Sequence, residues 1–176
     1  MNKTLIYEFN EDVLVLSICN GTVNNRLKIT NSERLVNPEK NLNELLANDL
    51  EEFMREKYLR ALNINTESEQ DAKAIKNLRE SELSVREELR HNNVAHILYK
   101  NWYLEIDELY PIERFKPLFK PILDRNDIFL TNFLIDSNVE FDDITEVILS
   151  GSECQYSFVR KHLEMVLCRS RVLMKA

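Results

Sequence analysis

The chain reads as an α/β fold: a sheet-and-helix body interrupted by one inserted subdomain. Three observations predict this. The first 36 residues alternate as strands, residues 37–110 carry two helix-length apolar stripes and a hairpin, and residues 111–176 return to helix, strand and helix. The last strand, Val147 to Leu149, runs into the small-residue turn Ser150-Gly151-Ser152. A strand, a small-residue turn and a helix together let backbone N–H groups approach a phosphate.

Each element follows from local chemistry. Thr4 to Phe9 alternates weakly, and Val13 to Cys19 is apolar enough for burial on both faces. Arg26 to Thr30 alternates clearly. Asn10-Glu11-Asp12 and Asn20-Gly21 are the expected turns, the latter a hairpin signal. Residues 31–41 read as a polar connection. A long helix follows, with Leu42, Leu45, Leu46, Leu50, Phe53, Met54 and Tyr58 on one face. Residues 63–69 break it, with Thr66 or Ser68 as a cap for the next element. A second helix is expected from about Glu69 to Arg90, with Ile75, Leu78, Val85 and Leu89 as its stripe. Its dense charge reads as a solvated face with i,i+4 pairs.

Val94–Tyr99 and Trp102–Ile106 read as strands turning at Lys100-Asn101. Pro111 suits a first helical turn. Ile112–Leu123 holds Pro117 and Pro121, so a short or kinked helix is expected, with a separate helix over Asp127–Asp136. The final helix carries Phe158, Val159, Leu163, Val166 and Leu167 at helical spacing. The expected division is 1–36 plus 111–176 for the sheet subdomain and 37–110 for the insert, within a single lobe.

Composition narrows the function classes. A net charge of -7 with mixed signs suits neither nucleic acid nor an anionic membrane. No apolar run reaches the length of a membrane span, and the N-terminus does not read as a signal peptide. Cys19, Cys154 and Cys168 have no metal-ligand spacing, so reduced thiols in the cytoplasm are expected. Glycine is scarce: only Gly21 and Gly151, against an average usage of about 7%. Turns with positive φ must then fall to Asn or Asp. Sites that bring backbone close to phosphate usually depend on glycine, so the scarcity argues against phosphate chemistry.

Each candidate residue carries two readings. Ser150, Gly151 and Ser152 are either nucleotide contacts or a turn that needs a residue without Cβ. Glu8, Glu11 and Asp12 are either ligands for Mg²⁺ or Ca²⁺ or a solvated hairpin tip, and the tip is favoured. Cys154, beside a helix N-terminus, is either an activated or an ordinary thiol, and the ordinary thiol is favoured. Tyr99, Trp102, Tyr103 and Tyr110 form either a partner surface or the packing of their hairpin, and packing is favoured. His91, His96 and His162 are scattered and suggest no nucleophile, with His96 facing outward on its strand.

The order of these elements and several strings resemble one family, the seventy-kilodalton heat-shock chaperones of DnaK type. The match is to lobe II of their nucleotide-binding domain, which has the actin-like (ribonuclease H-like) ATPase fold. The last strand and turn resemble the family's Ile-Val-Leu-Val-Gly-Gly-Ser-Thr-Arg-Ile-Pro. Glu113-Arg114-Phe115-Lys116-Pro117-Leu118 resembles its Ala-Arg-Phe-Glu-Glu-Leu, and Leu50-Glu51-Glu52-Phe53-Met54-Arg55 its Ile-Ala-Glu-Phe-Lys-Arg. Leu78-Arg79 up to Leu89 resembles the helix with adenosine contacts.

The resemblance implies an ATP or ADP site with Mg²⁺, and the departures from it imply that the site is degenerate. The family's Asp-Leu-Gly-Gly-Gly-Thr loop is matched by Glu8-Phe9-Asn10-Glu11-Asp12-Val13, without a glycine. A carboxylate about 4 Å from a phosphate oxygen costs several kcal/mol at an effective dielectric near 20. A Gly-Gly pair is matched by Asn37-Pro38, which has one N–H fewer. The adenosine contacts fall on Leu83, Arg86, Glu87 and Arg90, of which only Arg86 keeps its charge. The Arg beside adenine is matched by Cys154 and the usual Pro by Tyr156. Nothing matches the first lobe with its catalytic Lys, and the family's final helix of this lobe is expected to be truncated or replaced. The expectation is a non-catalytic pseudo-ATPase whose partners are nucleotide-exchange factors or a complete chaperone. Its vestigial pocket is Arg86, Ser150, Gly151 and Ser152. The alternative is a residual ATP-binding module completed by a partner lobe.

Overall fold

The computed structural model describes residues 3–23, 26–36, 42–58, 76–77, 79–100, 105–167 and 170–174. The chain divides into two compact units, Met1–Glu39 with Phe119–Ala176, and Lys40–Leu118.

The first unit is built on a mixed five-stranded sheet. Its strands are β1 (Lys3–Asn10), β2 (Val13–Val23), β3 (Arg26–Val36), β6 (Ile144–Ser150) and β7 (Arg171–Met174), in the order β3-β2-β1-β6-β7. β1 pairs antiparallel with β2 and parallel with β6, and β6 pairs parallel with β7. Alternation sets the core face: Leu5, Tyr7 and Phe9 of β1 and Val147 and Leu149 of β6 are all fully buried. The aromatic centre is Phe119, whose ring meets Phe9, Tyr156 and Phe158 edge-on at 6.0, 5.6 and 5.3 Å. Tyr156 and Phe158 stack at 5.4 Å.

Four expectations are corrected here. Asn20-Gly21 is not the hairpin turn. It lies inside β2, where the register shifts between Cys19 and Thr22 and Gly21 takes φ 69. A glycine there accommodates the extra residue of a β-bulge. β3 continues to Val36, through what read as a polar connection. Residues 31–34 are polar and exposed, so this half of the strand had no buried face to leave an alternating pattern. β7 was not foreseen at all; it has four half-buried or exposed residues. Positive φ away from glycine occurs at Glu11 and Asn138, so Glu11 takes a role expected of Asn or Asp.

In the second unit, α1 (Leu42–Tyr58) buries Leu42, Leu46, Leu50, Phe53 and Met54, whereas Leu45 is half-buried. α2 (Glu82–His91) buries Val85 and Leu89. Ile75, Leu78, the caps Thr66 and Ser68, and the expected start near Glu69 lie outside the described residues. β4 (Val94–Lys100) and β5 (Glu105–Pro111) form a two-stranded antiparallel sheet. Pro111 ends the second strand instead of opening a helix; the expected start at Trp102 lies outside the described residues. Tyr110 is buried, edge-on to Phe53 at 5.4 Å, and donates its hydroxyl to Asp49 Oδ2 at 2.5 Å. Arg114 Nε reaches the same oxygen at 2.7 Å, and its Nη1 reaches Glu56 at 2.7 Å. Trp102, Tyr103 and the side chain of Tyr99 lie outside the described residues.

The two helices expected over 112–136 are one, α3 (Ile112–Asp136). Pro117 and Pro121 are both exposed and four residues apart, so they share a face. Each proline costs the helix one backbone hydrogen bond. Burial of Phe115, Phe119, Ile122 and Leu123 holds the other side.

Candidate functional site

The end of β6 is fixed by its pairing with β1, which sets Tyr7 against Leu149 and Glu8 against Ser150. The chain then turns at Gly151 with φ 97 and ψ 160. A Cβ at Gly151 would lie 2.2 Å from the Phe9 carbonyl oxygen, 2.6 Å from its carbon and 2.9 Å from Asn10 Oδ1. Glycine is required by that close approach as well as by φ.

The next N–H, that of Ser152, is already engaged. It donates to Asn10 Oδ1 at 3.0 Å. Asn10 in turn donates through Nδ2 to Glu8 Oε1 at 3.2 Å. An amide oxygen of the chain itself thus occupies the direction in which an anion's oxygen would sit, with a carboxylate behind it. The Ser152 hydroxyl bonds Glu153 Oε1 at 3.0 Å.

The turn does not lead straight into an α-helix, as expected. A 3-10 turn, Ser152–Gln155, intervenes, and α4 (Ser157–Val166) starts only after Tyr156. The reason is packing: Cys154 and Tyr156 are both buried, and seating them uses one tight turn before the helix. Cys154 Sγ lies 3.8 Å from the Tyr7 carbonyl oxygen, which accepts its proton. Burial, above all, pushes the thiol up to about 12, with the Glu153 carboxylate adding to the effect. This agrees with the ordinary thiol favoured from the sequence, because a desolvated thiolate is disfavoured more than the neighbouring amides favour it.

Beside this turn, at the carboxyl ends of the parallel strands β6 and β7, lies an open cleft of about 410 Å³. Cys154 and Met174 supply apolar lining, and Gln155 with Ser157, Arg160, Lys161 and Glu164 of α4 supplies a polar wall of mixed charge. Arg160 is held by Glu164 one turn on, at 2.9 Å. Clefts in this position of an open α/β sheet are where such folds take ligands.

Arg86 belongs to the other unit. It is 4% exposed on α2 and hydrogen-bonds the Asn43 side chain. Its guanidinium is thus committed within its own unit. Leu83 is exposed, and Glu87 pairs with Arg90 along the helix. Asn37-Pro38 lies outside the described residues. At the β1–β2 turn Glu8 and Glu11 are exposed and Asp12 half-buried. Among the described residues no group of three or more His, Cys, Asp or Glu converges as a metal site. His96 is exposed and pairs with Asp107 across the hairpin, and His162 pairs with Asp127 at 2.9 Å.

Asn10 is the functional residue that sequence reasoning missed. It was read as a turn former and as the match to a phosphate-loop glycine, not as a partner for Ser152, which lies 142 positions away. Arg160 and Lys161 were missed too, for want of β7, which forms the cleft's other side.

Comparison with known proteins places these observations in one context. No family model matches the chain. Over 96 residues the chain is 30% identical to the chaperone protein HscA homolog of Mannheimia succiniciproducens, a span covering 54% of this chain and 15% of that protein. The match therefore supports a relationship to chaperones of the heat-shock-70 type, and the mixed sheet with its helices is compatible with an actin-like fold.

Proposed function

We propose that the chain is a degenerate lobe II of a heat-shock-70-type nucleotide-binding domain, and that it acts by binding proteins of the chaperone system instead of by hydrolysing ATP. Its partners are nucleotide-exchange factors or a complete chaperone, for which it serves as a regulator or decoy. The observation that carries the reading is the bond from Ser152 N–H to Asn10 Oδ1, backed by Glu8. A turn that binds phosphate must offer its N–H groups outward, and here the one after Gly151 is taken by the chain. Exposed apolar side chains on β4 and β5 supply a surface for a protein partner: Leu98 is 67% exposed and Leu109 57%. The test is a pull-down at micromolar concentration with a purified exchange factor and a purified chaperone. Capture of either supports the reading, and capture of neither removes it.

A second reading rests on the cleft beside the turn. Lys161 and the Glu164-paired Arg160 at the strand ends offer groups for an anionic small molecule, which favours a residual ATP-binding module completed by a partner lobe. A ligand of the native state raises the melting temperature by mass action, by about 2.7 kcal/mol of stability at a hundred times its Kd. Thermal-shift titration with ATP and Mg²⁺ to millimolar concentration therefore separates the two. A flat titration eliminates the second reading for the isolated chain.

A further inference from the structure

The two ladders that hold β2 both let go of Asn20-Gly21. On one side the pairing with β1 ends at Cys19, set against Thr4. On the other, Cys19 pairs with Ile29 and Thr22 with Leu27, so Asn20 and Gly21 together stand opposite Lys28. Among the described residues neither has a ladder partner on either side. Both are exposed. Gly21 takes φ 69, and, its chain neighbours apart, no described atom lies within 4 Å of where a Cβ would stand.

An Asn-Gly pair released in this way carries its own reagents. The side-chain amide carbon of Asn20 is an electrophile, and the Gly21 nitrogen reaches it by closing a five-membered ring. A ladder ordinarily prevents that closure, because it holds the N–H in a hydrogen bond and the backbone extended. A side chain on the second residue also crowds the nitrogen, and glycine has none. We propose that Asn20 is a site of self-modification, with water as the sole co-reactant. The Gly21 nitrogen gives its proton to solvent base and bonds to Asn20 Cγ. The Cγ–Nδ2 bond breaks, and ammonia leaves with a proton returned by solvent. Water then opens the cyclic imide. Breaking the new bond at Cγ leaves aspartate; breaking the original peptide bond leaves isoaspartate, whose main chain runs through Cγ. No group is oxidised or reduced. Either product places a carboxylate at the position opposite Lys28, and isoaspartate adds a main-chain carbon where the ladder is already out of step. This inference does not depend on the chaperone reading.

The test is ageing of the full chain at mildly alkaline pH, with peptide mass mapping for the change from NH2 to OH. Asn138 is the internal control: it is exposed and at φ 52, but the β-branched Val139 follows it. Asn20 is expected to convert in the native chain at a rate comparable with its rate in urea, while Asn138 stays intact. Gly21→Ala should slow the conversion severalfold, in urea as well as in the native chain, so the comparison holds even if that variant folds poorly. Conversion of Asn20 in urea alone, or far more slowly in the native chain than in urea, would overturn the inference, because the pair would then react only on unfolding. So would a Gly21→Ala chain that converts as fast as the wild type, or native Asn138 converting as fast as Asn20.

Discussion

Gly151→Ala is the substitution whose cost can be worked most directly from the structure. The added Cβ would meet the Phe9 carbonyl oxygen at 2.2 Å, against ordinary contacts of 3.4–4 Å, so backbone must move by more than an ångström. A backbone at φ 97 and ψ 160 lies in a region that is essentially glycine's own, costing a residue with a side chain about 1–3 kcal/mol. Displacing the turn from β1 also breaks the Ser152–Asn10 hydrogen bond, worth about 1 kcal/mol. The sum is about 2 to 4 kcal/mol, a large share of a typical domain's 5–15. For a chain of this size that lowers Tm by roughly 10 °C. Gly21→Ala is the internal control. Its φ is 69, but nothing lies within 4 Å of the added carbon, so only the conformational cost of about 1–2 kcal/mol applies. Urea unfolding followed by circular dichroism measures both. Equal losses for the two variants, or a loss under 1 kcal/mol at Gly151, would refute the close-approach argument.

Phe119→Ala removes the ring that three other aromatics meet, and the expected loss is about 3–5 kcal/mol by urea unfolding. Cys154 should resist iodoacetamide at pH 8 in the folded chain and react once urea unfolds it; peptide mass mapping that finds it alkylated at the rate of a free thiol would contradict its burial. Tyr7 and Tyr110 are held above the ordinary tyrosine value of 10.0, both chiefly by burial, with the Asp49 hydrogen bond adding at Tyr110. Because the folded state keeps these protons, their contribution to stability is full below pH 10 and declines as pH rises above it. Absorbance at 295 nm should show two tyrosines ionising only as the chain unfolds in alkali, and smooth titration of every tyrosine near pH 10 would count against it.

What was legible in the sequence had a buried face to write it. Leu5, Tyr7 and Phe9, or Leu42, Leu46 and Leu50, repeat at the period of their element because burial selects them. Where burial is absent the pattern can be absent too: residues 31–34 of β3 are polar and exposed on both faces, and the strand is held there by its ladder to β2. The prolines of α3 misled for the opposite reason. They announce a break, but both sit on the exposed side, and packing of Phe115 and Phe119 outweighs the lost bonds. At the candidate site, the need for glycine at 151 was readable, since small residues end a strand there. The occupation of the Ser152 amide was not, because it depends on the register of β1 against β6.

The position of β1 between β2 and β6 has a kinetic consequence. Its bonds to β2 close a two-residue turn, whereas its bonds to β6 join segments about 140 positions apart in the chain. The entropy of closing so long a loop must be met before the parallel ladder returns anything, so the hairpin is expected early and the sheet's completion late. The Ser152 amide is then a clock. Its protection from hydrogen exchange should appear only as the two ends of the first unit meet, and refolding followed at that one proton would time the last closure of the fold.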